Sequence, residues 1–332
     1  MQELIRELTE GYGPSGNEER VRTMIQEHVQ GLVDEVRTDA LGNLICVRRP
    51  TAPGSGLKVM LSAHMDEIGF VVTHIDDDGF VRFDLVGGNS PFRLLGQRVA
   101  FADGTVGVIG TEKIDEIKDL KLEKLFIDVG MSGEGAKSHI TIGDMATYHR
   151  PMETSGDRVI AKALDDRIGC AILVEFLRRK APSPHEIYCV FTVQEEVGLR
   201  GATTAAFGVK PDLGIAVDVT STGDTPKART MDVKLGKGVA IKMKDRSLIA
   251  HPRVKDLLLA TAEDRDIPHQ REVLEFGGTD AGAIHLTRGG VPSGTLSIPC
   301  RYIHTPSEMV DMVDVRACVD LLEATLAREI TL

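Results

Sequence analysis

The chain has no tryptophan, and of its 332 residues only 4 are tyrosine and 10 phenylalanine. Proteins that stack on bases or sugar rings depend on aromatic faces, so nucleic-acid and carbohydrate binding are disfavoured. Positive charge is also short: 39 Lys and Arg stand against 50 Asp and Glu, a net charge of −11. Such a chain is repelled by nucleic-acid phosphates and by anionic membrane surfaces. No apolar run approaches the roughly 20 residues that span a bilayer. Residues 1–16 carry Glu3, Glu7 and Glu10 and lack the basic stretch and apolar core of a secretory signal. Cysteine is sparse: Cys46, Cys170, Cys189, Cys300 and Cys318 are scattered, with no C-x-x-C. That pattern speaks against a disulfide framework and for buried free thiols in a reducing, cytoplasmic setting.

What the chain does contain is ordinary globular material, 42% hydrophobic and 27% charged. Its length suggests two domains. Residues 1–34 read as two helices broken by Gly11-Tyr12-Gly13-Pro14-Ser15-Gly16, followed by strands over 44–48 and 57–64. From 68 to about 150 the texture changes to short β-like runs punctuated by clusters such as Asp76-Asp77-Asp78-Gly79 and Ala102-Asp103-Gly104. That rhythm predicts a small all-β barrel or sandwich. Beyond 164, helices (166–179, 201–207, 253–266, 280–286, 313–328) alternate with strands (185–193, 213–218, 270–276, 291–298). Alternation of this kind predicts an α/β domain, with a mixed sheet flanked by helices. The simplest assembly has nested domains, 1–67 with 151–332 forming one and 68–150 an inserted β module.

Charged residues recur where apolar strands stop. One run ends in His64-Met65-Asp66, a second in Glu195-Glu196, a third in Asp218 and a fourth in His304, while Asp165-Asp166 opens a helix. Ligands collect at the carboxyl ends of strands in open α/β sheets, so these residues could ring one crevice. Singly, each has a duller explanation. A Glu-Glu pair is often a solvated corner, a lone His is often just hydrogen-bonded, and Asp165 could cap its helix. Recurrence shifts the balance toward a metal site. Imidazoles and carboxylates suit borderline divalent ions such as Zn, Co or Mn. Five ligands exceed a three-ligand catalytic zinc and suit two ions sharing a carboxylate. Without cations, three clustered carboxylates could not all stay ionised. His64 and Asp66 would share one face of a strand, letting Asp66 accept a hydrogen bond from the imidazole. Glu195 and Glu196 would point apart, one to ligate and its neighbour to act as base.

Five segments carry a resemblance: His64-Met65-Asp66-Glu67-Ile68-Gly69-Phe70, Ala163-Leu164-Asp165-Asp166-Arg167-Ile168-Gly169, Gln194-Glu195-Glu196-Val197-Gly198, Gly277-Gly278-Thr279-Asp280-Ala281 and Arg301-Tyr302-Ile303-His304-Thr305-Pro306. In order over nearly the whole chain, they resemble the TET-type (tetrahedral) co-catalytic metallo-aminopeptidases, which include glutamyl and deblocking aminopeptidases and proteins once named cellulase M. The resemblance implies a co-catalytic zinc peptidase fold with an inserted β-barrel dimerisation domain. It implies two divalent ions per subunit, Zn or Co, with Mn as a further candidate. His64, Asp165 and Asp218 would hold one ion, and Asp165, Glu196 and His304 the other. Asp165, matched in preference to Asp166, would bridge. Glu195 would be the general base acting on a metal-bridged water, and Asp66 would orient His64. Short peptides would be substrates, and dimers would assemble into a tetrahedral dodecamer.

Two rivals come from other classes. A cellulase-like glycosidase needs only two suitably spaced carboxylates, but the lack of Trp counts against sugar binding. A non-catalytic metal-binding assembly protein would not need Glu195 beside Glu196. Serine-hydrolase, P-loop and H-E-x-x-H motifs are absent.

Overall fold

The computed structural model describes residues 1–332. Helices α1 (Gln2–Glu10) and α2 (Glu19–Val29) come first, each burying one apolar stripe: Leu4, Ile5 and Leu8, then Val21, Ile25 and Val29. Strands β1 (Glu35–Thr38), β2 (Leu44–Arg48) and β3 (Lys58–His64) follow. Six strands come next: β4 (Gly69–Ile75), β5 (Phe80–Val86), β6 (Arg98–Phe101), β7 (Val106–Thr111), β8 (Leu125–Asp128) and β9 (Met145–Tyr148). Short helices α3 (Pro91–Leu94) and α4 (Gly133–His139) interrupt them. The six close into a barrel in the order β4-β5-β8-β7-β6-β9, which leaves no sheet edge unpaired. The barrel has its own core of 16 buried residues. Phe70 is its hub, meeting Phe83 and Tyr148 edge-on at centroid distances of 5.3 and 5.4 Å.

The chain then returns to the first sheet. In order come β10 (Glu153–Ser155), β11 (Arg158–Ala161), α5 (Leu164–Arg179), β12 (Glu186–Thr192), α6 (Arg200–Val209), β13 (Leu213–Thr220), β14 (Val239–Lys244), α7 (Pro252–Asp264), β15 (His269–Val273), α8 (Ala281–Ile284), β16 (Ser293–Arg301), β17 (Glu308–Asp311) and α9 (Met312–Leu326). With β1–β3 they form an 11-stranded mixed sheet. Its centre, β12-β3-β13-β16, is parallel. Strands covered on both faces read as continuous apolar runs, and all eight residues of β13 are buried. Helix α5 is buried without a break from Leu164 to Val174 and packs against β3, β13, α1 and α9. A core of 52 buried residues joins this sheet to its helices.

The α/β class, the mixed sheet and the β module are as expected from the sequence. Several elements differ. β1 is exposed at every residue, so no burial pattern marks it. β10, β11 and β17, of three or four residues each, are too short to show a period. β15 stops at Val273, short of 276. The helix expected over 280–286 is a single turn, Ala281–Ile284.

The neck between sheet and barrel is tied by buried charges. Glu67 accepts Lys162 Nζ at 2.7 and 2.8 Å, and Arg167 Nη2 lies 3.3 Å from its Oε1. Arg167, fully buried, also donates to the carbonyls of Met65, Leu8, Gly11 and Gly13. The N-terminal loop, the end of β3 and the start of α5 thus converge on one guanidinium. Burial, with the Arg167 charge, lowers the Lys162 pKa, and Glu67 opposes that shift. Removing one partner strands the others in low dielectric. Glu67→Ala should cost about 3–5 kcal/mol in chemical denaturation; a loss under about 1 kcal/mol, the range of exposed pairs, would contradict this account.

Candidate active site

Four parallel strands bring their carboxyl ends to one edge of the large sheet. His64 is the last residue of β3. Glu195 and Glu196 lie just beyond β12, which ends at Thr192. Asp218 lies inside β13 and not at its end, because the strand continues to Thr220. His304 lies beyond β16, which ends at Arg301. Asp165 and Asp166 begin α5 with non-helical backbone, φ/ψ of −79/103 and −120/37. Regular helix starts after them.

The sequence left Asp165 as a candidate cap, but Asp166 does that work. Its Oδ1 accepts the Gly169 N–H at 3.1 Å, and its Oδ2 accepts the His64 N–H at 3.1 Å. Residue 169 must be glycine for this, since a Cβ there would lie 2.4 Å from Asp166 Oδ1. Asp165 is left free to face the histidines. Its Oδ1 is 3.0 Å from His64 Nε2 and its Oδ2 is 3.3 Å from His304 Nε2. Glu196 Oε1 lies 3.1 Å from His304 Nε2. It is out of hydrogen-bond alignment, so this buried oxygen has no hydrogen-bond partner. Glu195 Oε2 is 3.9 Å from His64 Nε2. One ligand atom each from His64, Asp165 and Glu196 lie within 4.8 Å of one another, as do atoms from His64, Asp166 and Asp218. The second set contains Asp166 where the family motif pointed to Asp165.

Asp66 differs from expectation in detail. β3 stops at His64, so strand alternation does not extend to it. His64 Nδ1 meets the Asp66 carbonyl oxygen at 3.0 Å and its Oδ1 at 3.5 Å. The Asp66 carboxylate instead accepts the backbone N–H groups of Glu195 and Glu196, at 3.0 and 3.2 Å, and the Ser15 hydroxyl at 2.6 Å. Glu18 adds a grip on the same loop, accepting the Gln194 N–H at 3.2 Å. Glu308 accepts N–H groups from both Asp165 (2.9 Å) and His304 (2.8 Å). Ser15, Glu18 and Glu308 went unnoticed in the sequence, where each is a lone polar residue outside any ligand-like spacing. The barrel reaches the site too: a Cβ on Gly88 would stand 3.2 Å from the His304 ring.

Electrostatics bear the mark of crowding. Burial, then the Asp165 charge, pushes Asp218 well above the usual carboxylate range. Burial raises Glu195, with Asp218 and Glu196 adding to the effect against His64. Burial also raises Glu196, though His304 opposes it. Asp165 goes the other way: burial disfavours its charge, but hydrogen bonds from His304 and His64 win and its pKa falls. Burial likewise opposes protonation of His304, yet Glu196 and Asp165 lift its pKa to about 12. The cluster opens on a cavity of about 630 Å³ whose lining also includes Arg229, Phe276, Arg301 and Tyr302. Arg301 is neutralised by Asp224, at 2.7 and 3.0 Å.

Known proteins share this architecture. The profile of the family described as M42 glutamyl aminopeptidase matches residues 42–321. A relative from Acetivibrio thermocellus, provisionally named an aminopeptidase, is 52% identical over 324 residues, covering 97% of each chain. The aminopeptidase APDkam598 of Desulfurococcus kamchatkensis superposes with a TM-score of 0.93 at 40% identity, over 99% of this chain and 94% of that one. The Pyrococcus horikoshii TET1 peptidase, described as assembling into a tetrahedron or a large octahedral shell, gives 0.88 at 32% identity over 99% of both chains. No helix is long and apolar enough to cross a membrane. With its carboxylate–histidine crevice at the parallel strand ends, the chain belongs to the M42 aminopeptidase family, enzymes that hydrolyse peptide bonds.

Proposed function

We propose that this enzyme is a dinuclear, metal-dependent aminopeptidase that removes N-terminal residues from short peptides, with Glu195 as general base. One observation carries the reading: the Asp165 carboxylate reaches both imidazoles, His64 at 3.0 Å and His304 at 3.3 Å. A carboxylate so placed suits a bridge. Asp166 suits it less, because each of its oxygens already accepts a backbone N–H. His64, Asp165 and Asp218 would then hold one ion, and Asp165, Glu196 and His304 the other. The donor set fits: imidazole and carboxylate ligands favour Zn, Co or Mn. The unpartnered, buried Glu196 Oε1 and the raised pKa of Asp218 are costs that divalent cations would remove.

Bound there, the ions would supply Lewis-acid chemistry, activating water and polarising the scissile carbonyl. Glu195 does the proton work. It takes a proton from the attacking water and passes it to the departing amine nitrogen. Its proton affinity, raised by burial and by Asp218 and Glu196, suits a group that must hold that proton between transfers. Asp66 keeps Glu195 and Glu196 in register by holding both of their amides. The glycosidase alternative lacks a stacking platform of tryptophan. A non-catalytic metal binder would not need a second glutamate facing the cavity.

The chain would divide into a catalytic domain, 1–67 with 151–332, and a dimerisation domain, 68–150. Dimers would assemble into a tetrahedral dodecamer; the Pyrococcus horikoshii TET1 peptidase is described as assembling into a tetrahedron or a large octahedral shell. All five cysteines are buried and free, in keeping with a reducing cytoplasm.

Glu195→Gln should keep its metal and lose about 10²–10⁴-fold in kcat on aminoacyl-nitroanilides; near-normal turnover would overturn the base assignment. Exhaustive chelation should abolish activity and lower Tm, since ions bound to the native state stabilise it by linkage. Activity that survives removal of all divalent metal would sink the metal-dependent reading. Analytical ultracentrifugation should find a species well above one chain, and a monomer at micromolar concentration would contradict the assembly.

A further inference from the structure

The proposed ligands are not equally well supported. His64 and Asp218 sit on β3 and β13, neighbouring strands of the sheet centre. His304 sits in a loop with φ +61, and Asp165 precedes the regular part of its helix. No ladder or helix bond fixes the amide of either. Both amides instead point at Glu308, the first residue of β17, which is 2% exposed. Its Oε2 accepts the Asp165 N–H at 2.9 Å and its Oε1 the His304 N–H at 2.8 Å. Asp165 lies 143 positions earlier in the chain. A single carboxylate therefore joins the Asp165 and His304 backbones just beyond the point where β11 and β16 stop pairing with β17. A buried acceptor is costly to leave without its donors, so both contacts resist being broken. Amides gripped by both ends of one rigid carboxylate are held at a fixed separation.

We propose that Glu308 is the positioning residue for the second ion, setting the distance between Asp165 and His304 so that the Asp165–Glu196–His304 position binds metal. It touches neither ion nor substrate and acts only through the two ligands it holds. The His64–Asp165–Asp218 position shares only Asp165 with it and takes its other two ligands from strands, so it depends on Glu308 less. The inference rests on the dinuclear reading above and adds an asymmetry: one position belongs to the sheet, the other to a buried carboxylate.

Cobalt titration of the metal-free full-length enzyme, read by visible absorbance and calorimetry, tests this. The wild type should take two Co²⁺ per chain. Glu308→Ala should leave the tighter site within about threefold and weaken the other about 10–100-fold, the usual effect of losing a group that orients ligands. Glu308→Gln, the same size and with one acceptor oxygen left, should fall between them. It decides the matter if the alanine variant does not fold. Asp314→Asn is the control. Asp314 also accepts two backbone N–H groups, from Gly236 and Gly238 at 2.7 and 2.6 Å, but these lie outside the cavity wall. Its loss should lower Tm and leave both cobalt affinities unchanged. Two ions bound at wild-type affinity by folded Glu308 variants would overturn the proposal. So would equal weakening of both sites, or a matching loss in Asp314→Asn. A wild type that binds fewer than two ions would instead bring down the dinuclear reading, and this inference with it.

Discussion

The site depends on carboxylates that turn away from it. Asp66, Asp166 and Glu308 are each 2% exposed or less, and each accepts two backbone N–H groups. Between them they hold the amides of His64, Asp165, Glu195, Glu196 and His304. A buried carboxylate without partners is costly, and satisfying it with main chain converts that cost into geometry. The segments that carry the site cannot drift without leaving a buried carboxyl group unpaired. The same rule organises the neck, where Glu67 is satisfied by Lys162 and Arg167 and the guanidinium in turn gathers four carbonyls. One layer of ion-to-backbone bonds lies beneath the crevice and another beneath the barrel's attachment.

Much of this was legible in the sequence. Apolar strands such as 213–218, alternating with helices, announce a mixed sheet covered on both faces, and short runs between Asp-Gly clusters announce the barrel. The charged residues at the strand ends stood out because that event occurs four times. What stayed hidden depends on long-range pairing. Glu308 is one glutamate in a four-residue strand, and its partner Asp165 is defined only once α5 and β17 meet. Ser15 and Glu18 look like loop residues until the loop docks beneath Glu195. Alternation would put His64 and Asp66 on one face, but β3 ends at His64, two residues short of Asp66. Local pattern carries information over a few residues, whereas these contacts are set by topology.

Sheet and barrel are chemically continuous even though each has a separate core. Gly87, with φ +81, leaves room beside Glu196, where a Cβ would come within 3.3 Å. Arg93 of α3 donates to the Ile303 carbonyl at 3.1 Å, next to His304. The second half of the crevice is thus walled partly by the barrel, so the barrel cannot move far against the sheet without disturbing Glu196 or His304. Rigidity at the neck and precision at the site are one property.

The order in which the donors occur along the chain has a consequence for a cell that makes this enzyme. His64 is synthesised early, Asp165 to Asp218 much later, and His304 and Glu308 only as the last strands leave the ribosome. At roughly 5–20 residues per second, the donors appear over tens of seconds. Until β16 and β17 have joined the sheet, no segment holds a complete set. On the dinuclear reading, a growing polypeptide of this sequence would lack the His304 ligand for nearly the whole of its synthesis.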